Sequence, residues 1–282
     1  MSAAAAAGPP TTTVHYVSCL VSNPADPISP AQRLAWLKTL FSFGPLPMTL
    51  YADETYAAQI SPADHPGLTL VPWSPDDSDT AAAIRCRVAT SCALELPHRR
   101  NEAKDTQFFM TLMHCKAELV TRTMGAHTAP ETPGAPIHTP PPFYAFLDAG
   151  IVKICKDVAG CIQHLRTLQP SAAALAGRVL VPGCWTPCTH TFESLFSQIC
   201  WVFCGGFFVL EASTACAFEA AQRRALQPFL DAGRLTWEVN TWVHMLRDEG
   251  APRFAWFAAD HNDRMLTVPP EFLVPSSSPT EN

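Results

Sequence analysis

Apolar and polar positions alternate along this chain in two rhythms. Short, nearly unbroken apolar runs occupy residues 15–21, 48–52, 143–147, 178–181, 199–210 and 254–259. Runs of that length, rich in β-branched and aromatic side chains, predict strands covered on both faces. Longer segments lie at 31–41, 80–96, 104–124, 152–168, 212–230 and 237–246. Their composition and the recurrence of apolar residues every three or four positions predict helices. The 104–124 segment has the clearest stripe, formed by Phe108, Phe109, Leu112, Met113, Leu119 and Val120. Ser29 followed by Pro30 marks a helix start, a side-chain cap and then a ring whose fixed φ suits the first turn. Pro228 is expected to bend or end the 212–230 helix. Strands and helices in alternation predict an α/β domain with a mostly parallel central sheet flanked by helices.

Residues 125–142 are rich in Pro and Thr and read as a loop inserted between a helix and the strand it feeds, not as a domain boundary. Residues 1–13 and 271–282 are low in complexity and expected to be disordered, which leaves one domain over 14–270. The chain has 282 residues, 48% of them hydrophobic, enough for one full core. Its net charge of −6 argues against a nucleic-acid backbone as partner, although one pocket on an acidic protein can still be positive. The start lacks a charged segment followed by a long apolar one, and the longest apolar stretch, 199–210, is too short to span a bilayer. The expectation is a cytoplasmic protein with no membrane span, in the host cytoplasm if the source is a virus. The 11 cysteines are scattered, odd in number and mostly inside apolar runs, which favours core thiols over a disulfide framework.

Candidate chemistry gathers at strand ends. Asp148 follows the run ending at Leu147, and Asp260, His261, Asn262 and Asp263 follow the run ending at Ala259. Ligands of open α/β sheets bind beyond the carboxyl ends of the strands. Asp148 reads as a metal ligand or as a turn or cap residue. His261 reads as an imidazole ligand oriented by neighbouring carboxylates, or as part of a polar turn. Lys116 falls within the apolar stripe of its helix, where it meets an anion or reaches the rim of the core, and Glu118 is expected to be solvated. Gly205 and Gly206 inside a buried run mark either a ligand's close approach or a bulge. Glu238 and Asn240 sit among aromatic residues, and Glu238 could act as acid, base or hydroxyl ligand, or simply suit a helix start. Cys184, Cys188 and His190, with Cys200 and Cys204, have spacings seen in zinc sites, but Cys200 and Cys204 lie in an apolar run where structural zinc is uncommon. No phosphate-binding P-loop, dinucleotide-binding glycine motif or Gly-x-Ser-x-Gly elbow occurs in the chain.

Five blocks occur in a shared order: His114-Cys-Lys-Ala-Glu-Leu-Val120, Phe146-Leu-Asp-Ala-Gly-Ile151, Phe203-Cys-Gly-Gly-Phe-Phe208, Thr236-Trp-Glu-Val-Asn-Thr-Trp242 and Trp256-Phe-Ala-Ala-Asp-His-Asn-Asp263. In these blocks the chain resembles the HtrL/YibB-like glycosyltransferases of bacteria and large DNA viruses, from about residue 14 to 269. The resemblance implies a GT-A-like fold with a nucleotide-binding half over about 14–150 and an acceptor half over about 151–270. It implies transfer of a sugar from a nucleotide-diphosphate sugar, UDP-linked, to a hydroxyl of a carbohydrate or protein, assisted by Mn²⁺ or Mg²⁺. Tyr16, Val17, Ser18, Cys19 and Asp53 would then face the base and ribose, and Lys116 the diphosphate. Asp148 and His261 would hold the metal, with Gly150 standing where the family's motif has a second acid. Gly205, Gly206, Glu238, Asn240, Asp260 and Asn262 would line the sugar and acceptor side, with Glu238 as base and Asp148 as the second catalytic group. The alternatives are a non-catalytic carbohydrate or nucleotide-sugar binding module of the same fold and a metal-dependent phosphoester hydrolase.

Overall fold

The computed structural model describes residues 12–23, 25–91, 93–129 and 141–275. Seven strands form one sheet: β1 (Val14–Leu20), β2 (Met48–Ala52), β3 (Leu68–Pro72), β4 (Phe143–Leu147), β5 (Arg178–Gly183), β6 (Phe207–Glu211) and β7 (Arg253–Ala258). Their order is β3-β2-β1-β4-β6-β5-β7. All run parallel except β6, which is antiparallel to both neighbours, β4 and β5. The ten α-helices among the described residues are α1 (Pro30–Phe41), α2 (Glu54–Ala57), α3 (Asp79–Ser91), α4 (Gln107–His114), α5 (Lys116–Thr128), α6 (Val158–Arg166), α7 (Ala172–Leu175), α8 (Phe192–Ser197), α9 (Ala212–Asp231) and α10 (Glu238–Met245).

Successive strand residues point to opposite faces, so each strand feeds two cores. Val17, Tyr144, Phe146, Phe208 and Leu210 face a core completed by α3, α4, α5, α9 and α10. Tyr16, Phe143, Ala145, Leu147, Phe207 and Val209 face the other, completed by α1, α2, α6 and α7. The expected α/β class and mostly parallel, helix-flanked sheet are therefore present, in a Rossmann-like arrangement of three layers. No helix among the described residues is long and apolar enough to cross a membrane.

Several elements differ from the sequence expectation. The 104–124 helix is two helices that break at Cys115, where the His114 carbonyl accepts from the Gln222 amide at 2.7 Å instead of continuing the ladder. The 199–210 run is a strand only from Phe207; upstream, Cys200 N–H bonds Asn240, the Trp201 carbonyl bonds Cys184 and Trp185, and Cys204 N–H bonds Pro182. The two glycines thus precede β6 instead of interrupting it. Strand β3, absent from the expectation, is a half-buried edge strand ending in Pro72. Pro228 lies in the last turn of α9 without ending it. Helix α5 takes in 125–128 of the expected loop, and 130–140 lie outside the described residues. At the ends, Thr12 and Thr13 bond the backbone of Arg166 and Leu168, while Glu271 and Phe272 belong to a 3₁₀ turn. Of the expected disordered segments 1–13 and 271–282, residues 1–11 and 276–282 lie outside the described residues.

Candidate active site

The chain runs outward from β1 to β3 and then returns to place β4 on the other side of β1. That reversal of strand order opens a crevice beyond the carboxyl ends of β1 and β4. A cavity of about 340 Å³ occupies it, with Asp148 from the end of β4 on its floor. A smaller cavity of about 80 Å³ lies against the end of β1, between Leu20, Val21, Asn23 and Arg33, and shares Lys104, Asp148 and Lys153 with the first. The Cys19 thiol there is pushed up to about 12 by burial and then by the charge of Asp148, which leaves it a poor nucleophile.

Three elements deliver one charged cluster. Helix α5 packs on β1 and β4 and presents Lys116 from its first turn, and α10 presents Glu238 from its first residue. The segment before β6 brings Gly205 and Gly206, and the Gly206 carbonyl accepts from Asp148 N–H at 2.9 Å. Lys116 Nζ, 1% exposed as a residue, donates to the Gly205 carbonyl and to Glu238 Oε1, each at 2.8 Å, and lies 3.8 Å from Asp148 Oδ1. An ammonium has three donors, so one is left over on the side of Asp148. Burial acts to lower the Lys116 pKa, but Asp148 and Glu238 outweigh it and leave the pKa raised. The glycines are needed for the approach: a Cβ on Gly205 would lie 2.3 Å from Glu238 Oε1.

The cavity's charge is mostly carried by residues that the sequence reading missed. Arg99, Arg100, Lys104, Lys116 and Lys153 line it against Asp105, Asp148 and Glu238, five cations to three carboxylates. Arg99 bonds the Gln198 amide, Arg100 bonds the carbonyls of Pro97 and Asp105, and Lys104 and Lys153 lie over the rings of Phe109 and Trp36. Among the described residues none of these four forms an ion pair with a carboxylate. The Lys153 ammonium has its pKa lowered, by desolvation first and by neighbouring cations, against the pull of Asp148. A signal existed in the run His98-Arg-Arg-Asn-Glu-Ala-Lys104, a basic cluster in an acidic chain.

The structure brings Asp148, Lys116, Gly205, Gly206 and Glu238 to one wall, and His261 also lines the cavity. Other expected site residues lie elsewhere. Tyr16, Val17 and Ser18 are fully buried in mid-strand, with Tyr16 donating to the Leu165 carbonyl and Ser18 to that of Leu147. Only the residues after them reach the crevice. Asp53 caps α2 and accepts from Ser22 N–H, fastening the loop after β1. Asn240 is fully buried and satisfied by Cys200, Leu195, Gln198 and Thr236, so it anchors the 195–200 backbone. Asn262 caps the turn at Arg264, and Asp260 accepts from its neighbour's amide and from Cys184; neither lines the cavity. Glu118 is buried, not solvated: it accepts from Ser78 Oγ and from the amides of Asp79 and Thr80 at the start of α3. Burial tends to raise its pKa, but those donors leave it lowered.

Asp148 and His261, the expected metal pair, both line the cavity. His261 Nδ1 faces Asp260 Oδ1 at 3.4 Å and Cys184 Sγ at 4.0 Å, and its ring meets Trp201 edge-on. Among the described residues, no cluster of three His, Cys, Asp or Glu ligand atoms includes Asp148. Asp148 is the carboxylate open to a cation here: its side chain is 41% exposed, and its carboxylate accepts no hydrogen bond among the described residues. The chain matches no protein-family model and no curated protein.

Proposed function

We propose that the protein is a glycosyltransferase of GT-A-like fold that moves a sugar from a nucleotide-diphosphate sugar, UDP-linked, to a hydroxyl acceptor. One observation carries the reading: a cavity at the point where the strand order reverses holds more cations than carboxylates, four of them without an acidic partner, on a chain of net charge −6. Such a cavity suits a compact polyanion such as a diphosphate. Breaking the bond from the anomeric carbon to the diphosphate oxygen leaves the electron pair, and negative charge, on the diphosphate. Lys116, fixed by Gly205 and Glu238 before any ligand arrives, is a preorganised donor for that charge, with Lys104 and Lys153 beside it. The acceptor oxygen forms the new bond to carbon. Glu238 is the carboxylate at hand for its proton through Oε2, since Oε1 is committed to Lys116.

A divalent ion arriving with the diphosphate would have Asp148 as its protein carboxylate, an arrangement that Mg²⁺ tolerates when phosphates and water fill its other positions. Bound there, it would add positive charge at the departing oxygen.

A non-catalytic binding module is the second reading. The observation favouring it is the commitment of Glu238 to Lys116, which weakens the carboxylate as a base. Both readings meet one test: thermal stabilisation of the purified protein by a panel of nucleotide sugars with and without Mn²⁺, followed by assay of nucleotide release with acceptors present. Stabilisation with release supports the transferase, and stabilisation without release supports the module. The absence of a nucleotide-dependent shift removes the transferase and leaves only a module that binds carbohydrate without nucleotide. Asp148→Ala is expected to abolish the Mn²⁺-dependent part of the shift, and an unaltered Mn²⁺ response would overturn the ligand assignment.

A further inference from the structure

Beside the cavity, three strand ends bring four metal-binding side chains together. Cys184 follows β5, Cys204 precedes β6, and Asp260 and His261 follow β7. Strand β5 lies between β6 and β7, and the reversed direction of β6 puts its beginning at the edge where β5 and β7 finish. The Cys184 and Cys204 sulfurs are 3.6 Å apart, Cys184 Sγ is 3.5 Å from Asp260 Oδ1 and 4.0 Å from His261 Nδ1, and Asp260 Oδ1 is 3.4 Å from His261 Nδ1. The ligand atoms of Cys184, Cys204 and His261 all lie within 4.8 Å of one another.

These separations have a simple meaning. With zinc–sulfur bonds of about 2.3 Å and zinc–nitrogen or zinc–oxygen bonds of about 2.0–2.1 Å, tetrahedral edges are about 3.8 Å between two sulfurs, about 3.6 Å from sulfur to nitrogen or oxygen, and about 3.4 Å from nitrogen to oxygen. These four separations sit within a few tenths of an ångström of those edges, while Asp260 stands outside the group of mutually close ligand atoms formed by Cys184, Cys204 and His261. Backbone hydrogen bonds tie together the frame that carries the ligands. Cys184 N–H and Trp185 N–H both donate to the Trp201 carbonyl at 2.9 Å, Cys204 N–H donates to the Pro182 carbonyl at 2.8 Å, and Ala259 N–H donates to the Gly183 carbonyl at 2.9 Å. Glycine is required at 183, where a Cβ would lie 1.8 Å from the Val202 carbonyl oxygen.

We propose that Cys184, Cys204 and His261 bind one Zn²⁺, with Asp260 beside the imidazole. Two thiolates and an imidazole select zinc over the hard cations. Binding breaks two S–H bonds, forms two Zn–S bonds and releases two protons to solvent; zinc keeps its oxidation state. The site adds what the spacing of the cysteines alone pairs wrongly. His190 meets Cys188 at Nε2 and Cys200 at Nδ1, opposite ring edges that cannot share one ion. In the cluster of Cys155, Cys161 and Asp263, both aspartate oxygens already accept backbone amides. The proposal does not depend on the glycosyltransferase reading, although the ion would brace the backbone whose next residue, Gly205, holds Lys116.

The test is metal analysis of the full chain purified under reducing conditions from zinc-supplied cells, with Co²⁺ titration of chelator-stripped protein. About one zinc per chain and an intense thiolate-to-cobalt charge-transfer band with tetrahedral d–d transitions are expected. Cys184→Ser and Cys204→Ser should lose both signals, and Cys188→Ser should keep them. Background zinc with no cobalt band in the unsubstituted protein overturns the proposal without recourse to any variant. So does zinc retained by Cys204→Ser, zinc lost in Cys188→Ser, or a Cys184–Cys204 disulfide that persists under the reducing conditions.

Discussion

Replacing Lys116 by Met removes the charge at the centre of the cavity wall while keeping most of the side chain's volume. The loss is not confined to the lysine. Glu238, whose side chain is 7% exposed, is left with its charge unpaired, and the Gly205 carbonyl loses its donor. Breaking a buried pair from one side costs about 3–5 kcal/mol, chiefly because the remaining charge is stranded. Neutralising that charge should return part of the loss, so Lys116→Met combined with Glu238→Gln is expected to cost at least about 2 kcal/mol less than the two single changes added together, within the coupling range of contacting residues. Urea unfolding of the four proteins, with two probes to confirm a single transition, gives the cycle. Additivity to within about 0.5 kcal/mol would refute the reasoning, because it would mean that Glu238 does not depend on Lys116. The pH dependence has a definite sign. The folded pKa of Lys116 is raised, so its contribution is complete below the ordinary lysine range and is lost only as pH climbs through the folded value.

Two further outcomes follow from other titrating groups. His15, 8% exposed and bonded to Thr49, has its pKa lowered from 6.5 to about 4 by burial and then by His127. The native imidazole stays neutral while the unfolded one takes a proton, so stability should fall by on the order of 3 kcal/mol between about pH 6.5 and pH 4. His15→Gln should flatten that slope in urea midpoints measured across the range, and an equally steep slope in the variant would count against the account. In the cavity, the lowered pKa of Lys153 means that it loses its proton before an ordinary lysine does as pH rises. Affinity for a nucleoside diphosphate, measured by calorimetry, should weaken by about tenfold through that change, the worth of one charge-assisted hydrogen bond. Lys153→Arg should hold affinity level, and the same decline in both proteins would rule Lys153 out as the titrating contact.

Local signals reported what depends on neighbours in sequence. The run 48–52 is β2 itself, and Ser29 and Pro30 begin α1 as their cap chemistry requires, with Ser29 accepting from Gln32 N–H. Asp148, Lys116, Gly205, Gly206 and Glu238 were legible as site candidates because each broke an apolar pattern that a buried strand or helix would otherwise continue. What failed was everything decided by a distant partner. The break at Cys115 depends on Gln222, the burial of Glu118 on the start of α3, and the roles of Asn240 and Asp53 on backbone segments elsewhere in the chain. Tyr16, Val17 and Ser18 failed for another reason: the strand was identified, but only its final residues reach the crevice. The basic segment from Arg99 to Lys104 was overlooked because it carries no periodicity, although its charge alone set it apart.

The reversal of β6 gives the edge of the sheet its chemistry. In an all-parallel sheet this edge receives only the residues that leave each strand. Here it also receives the residues that enter one. Gly205 and Gly206 arrive between β4 and β5, where the Gly206 carbonyl takes the Asp148 amide and the Gly205 carbonyl takes the Lys116 ammonium. Cys204, one residue earlier, is bound through its amide to Pro182 of β5 and through proximity to Cys184. A single backbone segment of three residues therefore fixes both the charged cluster and the thiol cluster. Space is short at both glycines: a Cβ on Gly206 would come within 3.2 Å of Asp148 Oδ2 and Ile151 Cδ1, and one on Gly205 within 2.3 Å of Glu238 Oε1. Changes at the thiols are therefore expected to reach the carbonyl that holds Lys116, and changes at Lys116 the segment that carries Cys204. The two clusters share one wall, so loss of an ion from the proposed zinc site should be felt at the cavity, which His261 also lines.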